Sequence, residues 1–302
     1  MSEVSVVIVA RDACHPLRGC LESLQYSLPL SSEVVVVDDA SSDGTARKVA
    51  AEFEWARVVR NDEPLGFVRC VERGVSMTKG AYLLLLDPGV QLCPNTGREM
   101  LAFLETNMRH GAVVPHLVRP DGTTVAPHQR HPTLKSALWL GTPLEQWRPE
   151  APQLKEIFAC DFDYALDGDV EDTSTACLLM RRRALKRVET YDETLYPHFH
   201  EADLCMRVRE AGWRLGFMPN SLAVDVDGVA ERDYPDLSPE WHAQRLLWYR
   251  KHLGRAAGWW VKGCVGWTVL VRLAKEMRRR INGLREEPIV PVWRAYAGLL
   301  RS

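Results

Sequence analysis

The segment from Glu33 to Thr45, EVVVVDDASSDGT, constrains the fold more than any other stretch of the chain. Its four consecutive valines are typical of a strand that is buried on both faces of a sheet. The run ends at two carboxylates, Asp38 and Asp39, and a small polar turn then leads into helix-favouring residues. A parallel strand followed by a helix brings such acids to the carboxyl edge of the sheet, where open α/β folds bind ligands. The segment therefore predicts an α/β fold with a ligand site beside these acids.

Strand and helix patterns alternate through the first part of the chain. Apolar, β-branched runs predict buried strands at residues 4–10, 33–37, 56–60 and 81–86. Apolar stripes at helical spacing predict intervening helices at residues 17–24, 45–53 and 67–77. Because crossovers between parallel strands are right-handed, these elements predict a parallel sheet with helices on both faces.

The rest of the chain gives a more mixed pattern. Strands are predicted at residues 112–117, 176–180, 215–218 and 223–226. Helices are predicted at residues 95–107, 182–188, 201–212, 239–253 and 259–280. From about residue 128 to residue 172 no period is visible, which predicts a long loop with short helices.

Composition limits the class of protein. The net charge of -2 over 302 residues gives no electrostatic case for a nucleic-acid partner. The 8 cysteines are scattered without a CxxC pair, which argues against a zinc site or a disulfide framework and favours reduced thiols. The first residues lack a signal-peptide pattern, and no run of about 18 apolar residues predicts a spanning helix. We therefore expect a cytoplasmic protein.

The order and spacing of several short motifs resemble those of the family 2 GT-A glycosyltransferases. The resemblance extends to the rhamnosyltransferase-like members, which build bacterial surface polysaccharides. The matching motifs, which run from about residue 4 to residue 253, are VSVVIVARD, CLESL, VVVVDDASSDGT, NDEPLGFVRCVERG, GAYLLLLDPGVQL, VRPDGT, TACLLMRRRAL, YDETLYPHFHEADLCMRVREAGWRL and WYRKHLG. The resemblance implies an α/β GT-A fold, with a Rossmann-like, mostly parallel sheet flanked by helices. It implies a glycosyltransferase domain at residues 1–253, followed by a helical C-terminal extension at residues 254–302.

The resemblance also implies a function. We expect an inverting glycosyltransferase of the hexosyltransferase type, which moves a sugar from a UDP- or dTDP-sugar to a hydroxyl of a saccharide, a lipid-linked saccharide or a protein. The alternative is a catalytically degenerate GT-A domain that binds a nucleotide-sugar or a partner. A nucleotidyltransferase would need a glycine-rich phosphate loop after the first strand, and the segment Arg11 to Cys14 does not supply one.

Several residues fall on positions that bind the donor in this family. Asp39 occupies the position that hydrogen-bonds the nucleotide base, and a carboxylate is a strong acceptor for the N–H of uracil or thymine. Asp12 lies beside the same pocket, where the family usually has Asn. The other residues expected to bind substrate are Gly66, Arg69, Arg73, Asp87 and Asp203. The alternative for the acids that follow the second strand is that they only end the strand and cap the next helix.

Asp87 begins the segment that matches the D-x-D motif, in which two acids normally hold a divalent cation against the donor diphosphate. Here the motif reads Asp87-Pro88-Gly89, so its second acid is missing. Asp225 replaces a family histidine, so one acid is lost and one is gained. Two alternatives follow: Asp87 and Asp225 hold Mg²⁺ or Mn²⁺, or no metal binds. In the metal-independent alternative, cationic side chains stabilise the leaving diphosphate. The candidates for that role are Arg11, Arg69 and Arg73.

Glu201 matches the family position of the catalytic base, at the start of a helix. Inverting transfer needs a carboxylate that takes the proton of the acceptor hydroxyl. The alternative is that Glu201 and Asp203 only complement the dipole of the helix as first-turn acids. Glu72 and Thr175 replace a family Asn and a family Gly near the expected donor pocket. Together with Gly89 in the altered D-x-D motif and with His200, which replaces a family Glu, these changes favour a lost activity or a changed donor.

The C-terminal extension carries an apolar stripe and then three consecutive arginines, Arg278, Arg279 and Arg280. The members of the stripe are Trp259, Trp260, Val261, Val265, Trp267, Leu270, Val271 and Leu273. One interpretation is an interfacial helix on the inner face of the plasma membrane, near a lipid-linked acceptor. The other is a helix packed on the catalytic domain or on a partner subunit in a homo- or hetero-oligomer.

Overall fold

The computed structural model describes residues 3–230 and 238–281 and contains a sheet of nine strands. The strands are β1 Val4–Ala10, β2 Glu33–Asp38, β3 Ala56–Arg60, β4 Tyr82–Leu86, β5 Val90–Leu92, β6 His110–Val118, β7 Gly168–Val170, β8 Cys177–Arg181 and β9 Arg214–Asp225. The helices are α1 Cys14–Ser27, α2 Thr45–Glu52, α3 Phe67–Ser76, α4 Thr96–Thr106, α5 Leu134–Trp139, α6 Pro143–Trp147, α7 Pro152–Ile157, α8 Arg182–Val188, α9 His200–Glu210 and α10 Pro239–Ile281. A 3₁₀ turn covers Glu193–Leu195.

The strand order is β3-β2-β1-β4-β8-β6-β9-β5, and β7 pairs with β9. The first four predicted strands are confirmed and are parallel to one another. The direction reverses at β8, which is antiparallel to β4 and to β6. The mostly parallel sheet flanked by helices is therefore confirmed, with an antiparallel strand at its middle.

Three strand details differ from the sequence-based expectation. The short strands β5 and β7 were not predicted, because three residues are too few to show an alternating pattern. The two strands predicted near residues 215–218 and 223–226 form one strand, β9. Its pairing with β6 shifts register between Pro115 and His116, so the pattern is broken although the strand continues.

The buried side chains form two layers, one on each face of the sheet. On β1, Val4, Val6 and Ile8 belong to the core layer packed beneath α1 and α4. Val7, between them, belongs to the opposite layer, which includes buried residues of α3 and α9. This alternation follows from the two-residue period of a strand, and it explains why the central strands are apolar throughout.

The chain divides into two compact units. The first comprises Met1–Gln129, Phe162–Glu193 and Glu201–Arg232 and holds the sheet. The second comprises Arg130–Asp161, Thr194–His200 and Asp233–Ser302. Residues 282–302 of the predicted extension lie outside the described residues.

Within the second unit, α10 packs on α5 and α6. The helix is interrupted at Gly254, whose φ of 85° and ψ of 178° are non-helical, so the two predicted helices meet at this glycine. Beyond the break, the indole N–H of Trp260 donates to the carbonyl of Leu134, and the hydroxyl of Thr268 donates to the carbonyl of Gly141. No helix in the described ranges combines the length and the apolar character needed to cross a membrane.

Candidate active site

Asp39 follows β2, and its carboxylate accepts hydrogen bonds from three groups on the loop between β3 and α3. Oδ1 accepts from the side-chain amide of Asn61 (2.8 Å) and from the backbone N–H of Leu65 (2.7 Å), and Oδ2 accepts from the N–H of Gly66 (3.0 Å). Burial raises the pKa of Asp39, but the donors at Leu65, Asn61, Cys70 and Gly66 outweigh it, so the pKa lies below its usual value. Asp39 is therefore a buried carboxylate that anchors the loop before α3.

Gly66, at the start of that helix, adopts a φ of 87° and a ψ of 160°, a conformation that favours glycine. A Cβ built at Gly66 would meet no atom within 4 Å, so the backbone borders open space. The loop thus combines a conformation that requires glycine with room for a ligand beside the Asp39 carboxylate.

Asp12 lies at the end of β1 in a left-handed conformation, with a φ of 48°. Its Oδ1 accepts hydrogen bonds from the N–H (2.7 Å) and the hydroxyl (3.0 Å) of Ser42, and its own N–H donates to the hydroxyl of Ser41 (2.9 Å). These hydrogen bonds lower the pKa of the exposed Asp12 carboxyl. Asp12 therefore joins the end of β1 to the turn that follows β2.

Two of the three candidate arginines have protein partners. Arg73 donates to the side-chain oxygen of Asn61, which in turn donates to Asp39. Arg69 forms an exposed ion pair with Glu193 at 3.2 Å. Arg11 is exposed at the end of β1. Arg73 is thus the arginine that the structure links to the Asp39 carboxylate.

Asp87 follows β4 and meets the beginning of β8, because these strands are antiparallel. Leu86 pairs with Cys177, and the N–H of Asp87 donates to the carbonyl of Ala176 (2.8 Å). Its Oδ1 accepts from the N–H of Gly89 (2.8 Å). Burial, together with the negative charges of Asp225, Asp227 and Glu201, raises the pKa of Asp87 to about 6, although the Gly89 hydrogen bond lowers it.

The end of β9 brings two more carboxylates beside Asp87. Asp225 pairs with Val90 across the two strands, and the N–H of Val226 donates to the carbonyl of Gly89 (2.9 Å). Asp225 is buried, and its two oxygens accept the backbone N–H groups of Val229 (3.0 Å) and Ala230 (2.9 Å). Asp227 is exposed and lies on the turn that these hydrogen bonds hold.

Glu201 lies in the first turn of α9, and its Oε1 accepts hydrogen bonds from the residues that precede β8. The donors are the N–H of Thr175 (2.5 Å), the hydroxyl of Thr175 (2.9 Å) and the hydroxyl of Ser174 (3.2 Å). The phenol of Tyr191 in turn donates to the Thr175 hydroxyl (2.6 Å). Thr175, which replaces a family glycine, is thus a bridge between a buried tyrosine and the candidate base.

Asp203 lies two residues further along the first turn of the same helix, with a different set of contacts. It is completely buried, and its Oδ2 pairs with the guanidinium of Arg207 at 2.7 Å. Arg207 also donates to the carbonyls of Val188 and Thr190. These contacts give Asp203 a structural role that ties α9 to the end of α8.

The carboxylate oxygens of Asp87 and its neighbours are suitable ligands for a hard cation such as Mg²⁺. Across residues 3–230 and 238–281, no three His, Cys, Asp or Glu side chains are placed to hold a metal by themselves. Magnesium, however, is commonly held by one or two carboxylates together with substrate phosphates. The residues present therefore fit a cation that is shared with a bound diphosphate rather than one enclosed by protein.

Asp225 and Glu201 lie close enough to Asp87 for their negative charges to raise its pKa. The structure places Asp12, Asp39 and Gly66 around the neighbouring ends of β1 and β2, which lie at the same edge of the sheet. Asp203 does not join either group. Sequence reasoning missed Asp227 and Tyr191. Asp227 could have been found from the sequence, because residues 225–227 form a D-x-D pattern at the end of an apolar run.

Comparison with known proteins gives a consistent assignment. The family profile described as "Glycosyl transferase family 2" matches residues 5–189. A curated relative, N-acetylglucosaminyl-diphospho-decaprenol L-rhamnosyltransferase of Mycobacterium tuberculosis, is 25% identical over 269 residues, with coverage of 84% of this chain and 86% of the relative. The profile and the relative confirm the resemblance seen in the motifs.

Two solved structures show the same fold. One is GalNAc-T7 with UDP, GalNAc and Mn²⁺, with a TM-score of 0.58, 16% identity and coverage of 82% of this chain and 49% of that chain. The other is the mannosyltransferase PcManGT from Pyrobaculum calidifontis in complex with GDP-Man and Mn²⁺, with a TM-score of 0.57, 15% identity and coverage of 99% and 81%. This chain thus spans about half the length of the first protein, and at these identities the likeness shows the fold.

Proposed function

The chain belongs to glycosyl transferase family 2 and has the GT-A fold, and from that premise we propose that it is an inverting hexosyltransferase that uses a UDP- or dTDP-sugar. One observation carries the proposal. A carboxylate on α9, Glu201, is held by Thr175 beside the end of β4, where Asp87 lies. A base and a cluster of donor-side acids thus share the ligand-binding edge of the sheet.

In this proposal Glu201 is the general base. The acceptor hydroxyl gives its proton to the Glu201 carboxylate while its oxygen forms a bond to the anomeric carbon. The bond from that carbon to the diphosphate breaks, and the nucleoside diphosphate leaves with the bonding electrons. Because attack and departure occur on opposite faces of the sugar, the anomeric configuration inverts. The hydrogen bonds from Thr175 and Ser174 fix Oε1 and so orient the carboxylate.

The donor occupies the ends of β1, β2 and β4. We propose that the nucleotide base lies beside Asp39 and over the open backbone of Gly66. Asp12, which accepts a hydrogen bond from the N–H of Ser42, borders the same pocket. Arg73 supports this pocket through Asn61. A divalent cation, when bound beside Asp87, would neutralise the charge of the leaving diphosphate.

We propose a lipid-linked saccharide as the acceptor, which places the enzyme in surface polysaccharide or glycoconjugate synthesis. The support is the mycobacterial relative, whose name gives a decaprenol-linked acceptor. A lipid-linked acceptor requires the enzyme to work at a membrane surface. The same proposal therefore places the protein at the cytoplasmic face of the plasma membrane.

One face of α10 beyond Gly254 fits an anionic lipid surface. Trp259, Leu270 and Met277 recur at helical spacing and are 71%, 66% and 62% exposed, while Val261 and Val265 are buried on the opposite side. Residues 254–281 contain seven basic residues and one acidic residue, although the whole chain has a net charge of -2. Exposed apolar side chains on a strongly basic helix are typical of membrane-surface binding.

Flotation with vesicles of phosphatidylglycerol and phosphatidylcholine tests this contact. The double variant Trp259→Ser with Leu270→Ser should bind the vesicles about tenfold or more weakly, since it removes two large apolar side chains. Trp55→Ser, which changes an exposed tryptophan in the first unit, should bind like the unmodified protein. Equal flotation of all three proteins would contradict the membrane contact, and loss of a dimer in the double variant would favour an oligomer interface instead.

The transferase proposal is tested with the full chain in two steps. A thermal-shift screen of nucleotide-sugars should find a uridine or thymidine diphosphate sugar that raises the melting temperature. The same donor, mixed with a polyprenyl-diphosphate saccharide, should then release nucleoside diphosphate and extend the saccharide. Binding without any turnover would favour the alternative, a degenerate domain that only binds the nucleotide-sugar. Failure of all nucleotide-sugars to bind would contradict both.

A further inference from the structure

The side chain of Asp227 fills the space that a side chain at Gly89 would occupy. A Cβ built on Gly89 would lie 3.0 Å from the Cβ of Asp227 and 3.1 Å from its Oδ2. These contacts are tighter than ordinary van der Waals packing, so a larger residue at position 89 and the present Asp227 compete for the same volume. Position 89 is where the D-x-D motif would carry its second acid, according to the sequence resemblance.

The backbone fixes this arrangement from both sides. The N–H of Val226 donates to the carbonyl of Gly89 at 2.9 Å, and Val90 pairs with Asp225. Beyond the strand, Asp225 binds the N–H groups of Val229 and Ala230 and so closes the turn that carries Asp227. Asp225 is therefore a positioning residue for Asp227, since both of its oxygens hold the turn.

The carboxylates near the ends of β4 and β9 have no cationic partner among the described residues. Among the described residues, no Lys, Arg or His forms an ion pair with Asp87, Asp225 or Asp227. Backbone N–H groups bind both oxygens of Asp225. Asp227 lies on the exposed turn that follows β9, beside the paired strands β5 and β9. Asp227 thus lies against Gly89, two residues from Asp87, and no cationic side chain of the described residues pairs with either carboxylate.

We infer that Asp227 supplies, from the end of β9, the carboxylate that the D-x-D motif lacks, and that Asp87 and Asp227 together hold a divalent cation. Glycine at position 89 is then required, because it leaves room for the acid that arrives from the other strand. This inference rests on the proposed function, since the donor diphosphate would complete the coordination of the cation. Mg²⁺ and Mn²⁺ both suit two carboxylates and phosphate oxygens.

The test measures Mn²⁺ binding directly, from the EPR signal of free Mn²⁺ in titrations with UDP and, in parallel, with dTDP. Asp227→Asn should weaken Mn²⁺ binding about tenfold or more, because one of two charged ligands is lost. The exchange variant, Gly89→Asp with Asp227→Gly, should restore affinity to within a few fold, since it returns the acid to the motif. Asp163→Asn is the matched control, because Asp163 is also an exposed aspartate on a turn, with its Oδ1 bound to a backbone N–H.

The outcomes separate this inference from the proposed function. Mn²⁺ binding that falls in Asp227→Asn, returns in the exchange variant and is unchanged in Asp163→Asn supports the inference. Unchanged Mn²⁺ affinity in Asp227→Asn, or no Mn²⁺ binding by the unmodified protein with either nucleotide, overturns it. Either of these two results leaves sugar transfer to be decided by the donor screen and the turnover assay. A melting-temperature measurement on each variant confirms that the protein compared is folded.

Discussion

Replacement of Glu201 by glutamine separates the chemistry of this residue from its structural contacts. Glu201 Oε1 accepts three hydrogen bonds, from the N–H and hydroxyl of Thr175 and the hydroxyl of Ser174. The amide oxygen of glutamine can accept all three, so the variant should fold and bind donor nearly as before. What glutamine cannot do is take a proton from the acceptor hydroxyl.

The expected loss follows from this division. General-base catalysis contributes about 10²- to 10⁴-fold to a rate, which corresponds to about 3–5 kcal/mol of activation free energy. We therefore expect kcat of Glu201→Gln to fall by that factor. The melting temperature and the dissociation constant of the donor should change little, since a neutral acceptor replaces a charged one at only one oxygen.

The assay follows nucleoside diphosphate release with the donor found by the thermal-shift screen and a polyprenyl-diphosphate saccharide as acceptor. Donor affinity is measured separately by calorimetry. Glu22→Gln is the matched control, because Glu22 is an exposed glutamate on α1 whose partner is Arg18. A turnover rate in Glu201→Gln within a few fold of the unmodified enzyme would refute the assignment of the base.

Two further predictions concern the groups that hold these carboxylates. Thr175→Val removes the hydroxyl that accepts from the buried phenol of Tyr191, and it should lower the free energy of unfolding by about 1–3 kcal/mol in urea titrations. Combining it with Tyr191→Phe should recover most of that loss, since no unpaired phenol remains; a fully additive loss would contradict the hydrogen bond. Asp39→Asn should destabilise the protein by about 1.5–3 kcal/mol near neutral pH, because a charge-assisted bond to Gly66 is lost. Since the folded pKa of Asp39 lies below its unfolded value of about 3.9, this contribution is present above that value and is lost as the pH falls through the folded pKa, so the two proteins should converge in acid. A stability difference that stays constant down to strongly acidic pH would contradict this account of Asp39.

Much of the fold could be predicted because its signals are local. The valine run of β2 and the leucine run of β4 are buried on both faces, and their β-branched or apolar character is visible directly in the sequence. The end of each strand is also visible, since a carboxylate follows at Asp39 and at Asp87. These two signals together located the edge of the sheet that carries the candidate site.

The details that sequence could not give depend on contacts between distant segments. Nothing near Gly89 indicates that the space beside it is filled by an acid from the turn after β9, because the two positions are 138 residues apart (227 − 89) and are brought together by the β5–β9 pairing. The sequence marked Thr175 only as a change near the expected donor pocket, and the structure shows in addition that its hydroxyl lies between Tyr191 and Glu201. The assignment of Asp203 to substrate binding stays a prediction. Its buried carboxylate pairs with Arg207, four residues along α9, and Arg207 in turn donates to the carbonyls of Val188 and Thr190, which lie outside that helix.

The packing of the C-terminal helix was left open by its composition, for a related reason. Its apolar residues are numerous enough to cover two faces, and the sequence does not show which face finds a protein partner. The structure assigns Val261 and Val265 to the buried face and leaves Trp259 and Leu270 exposed. A single apolar stripe in the sequence thus corresponds to one buried and one exposed surface.

The decisive experiment is a crystal structure with the bound nucleoside diphosphate of the donor. We expect the base beside Asp39 and Gly66, the diphosphate beside Asp87 and Asp227, and the Glu201 carboxylate facing the position of the sugar. A nucleotide bound at any other place on the protein, with the ends of β1, β2 and β4 unchanged, would contradict this expectation.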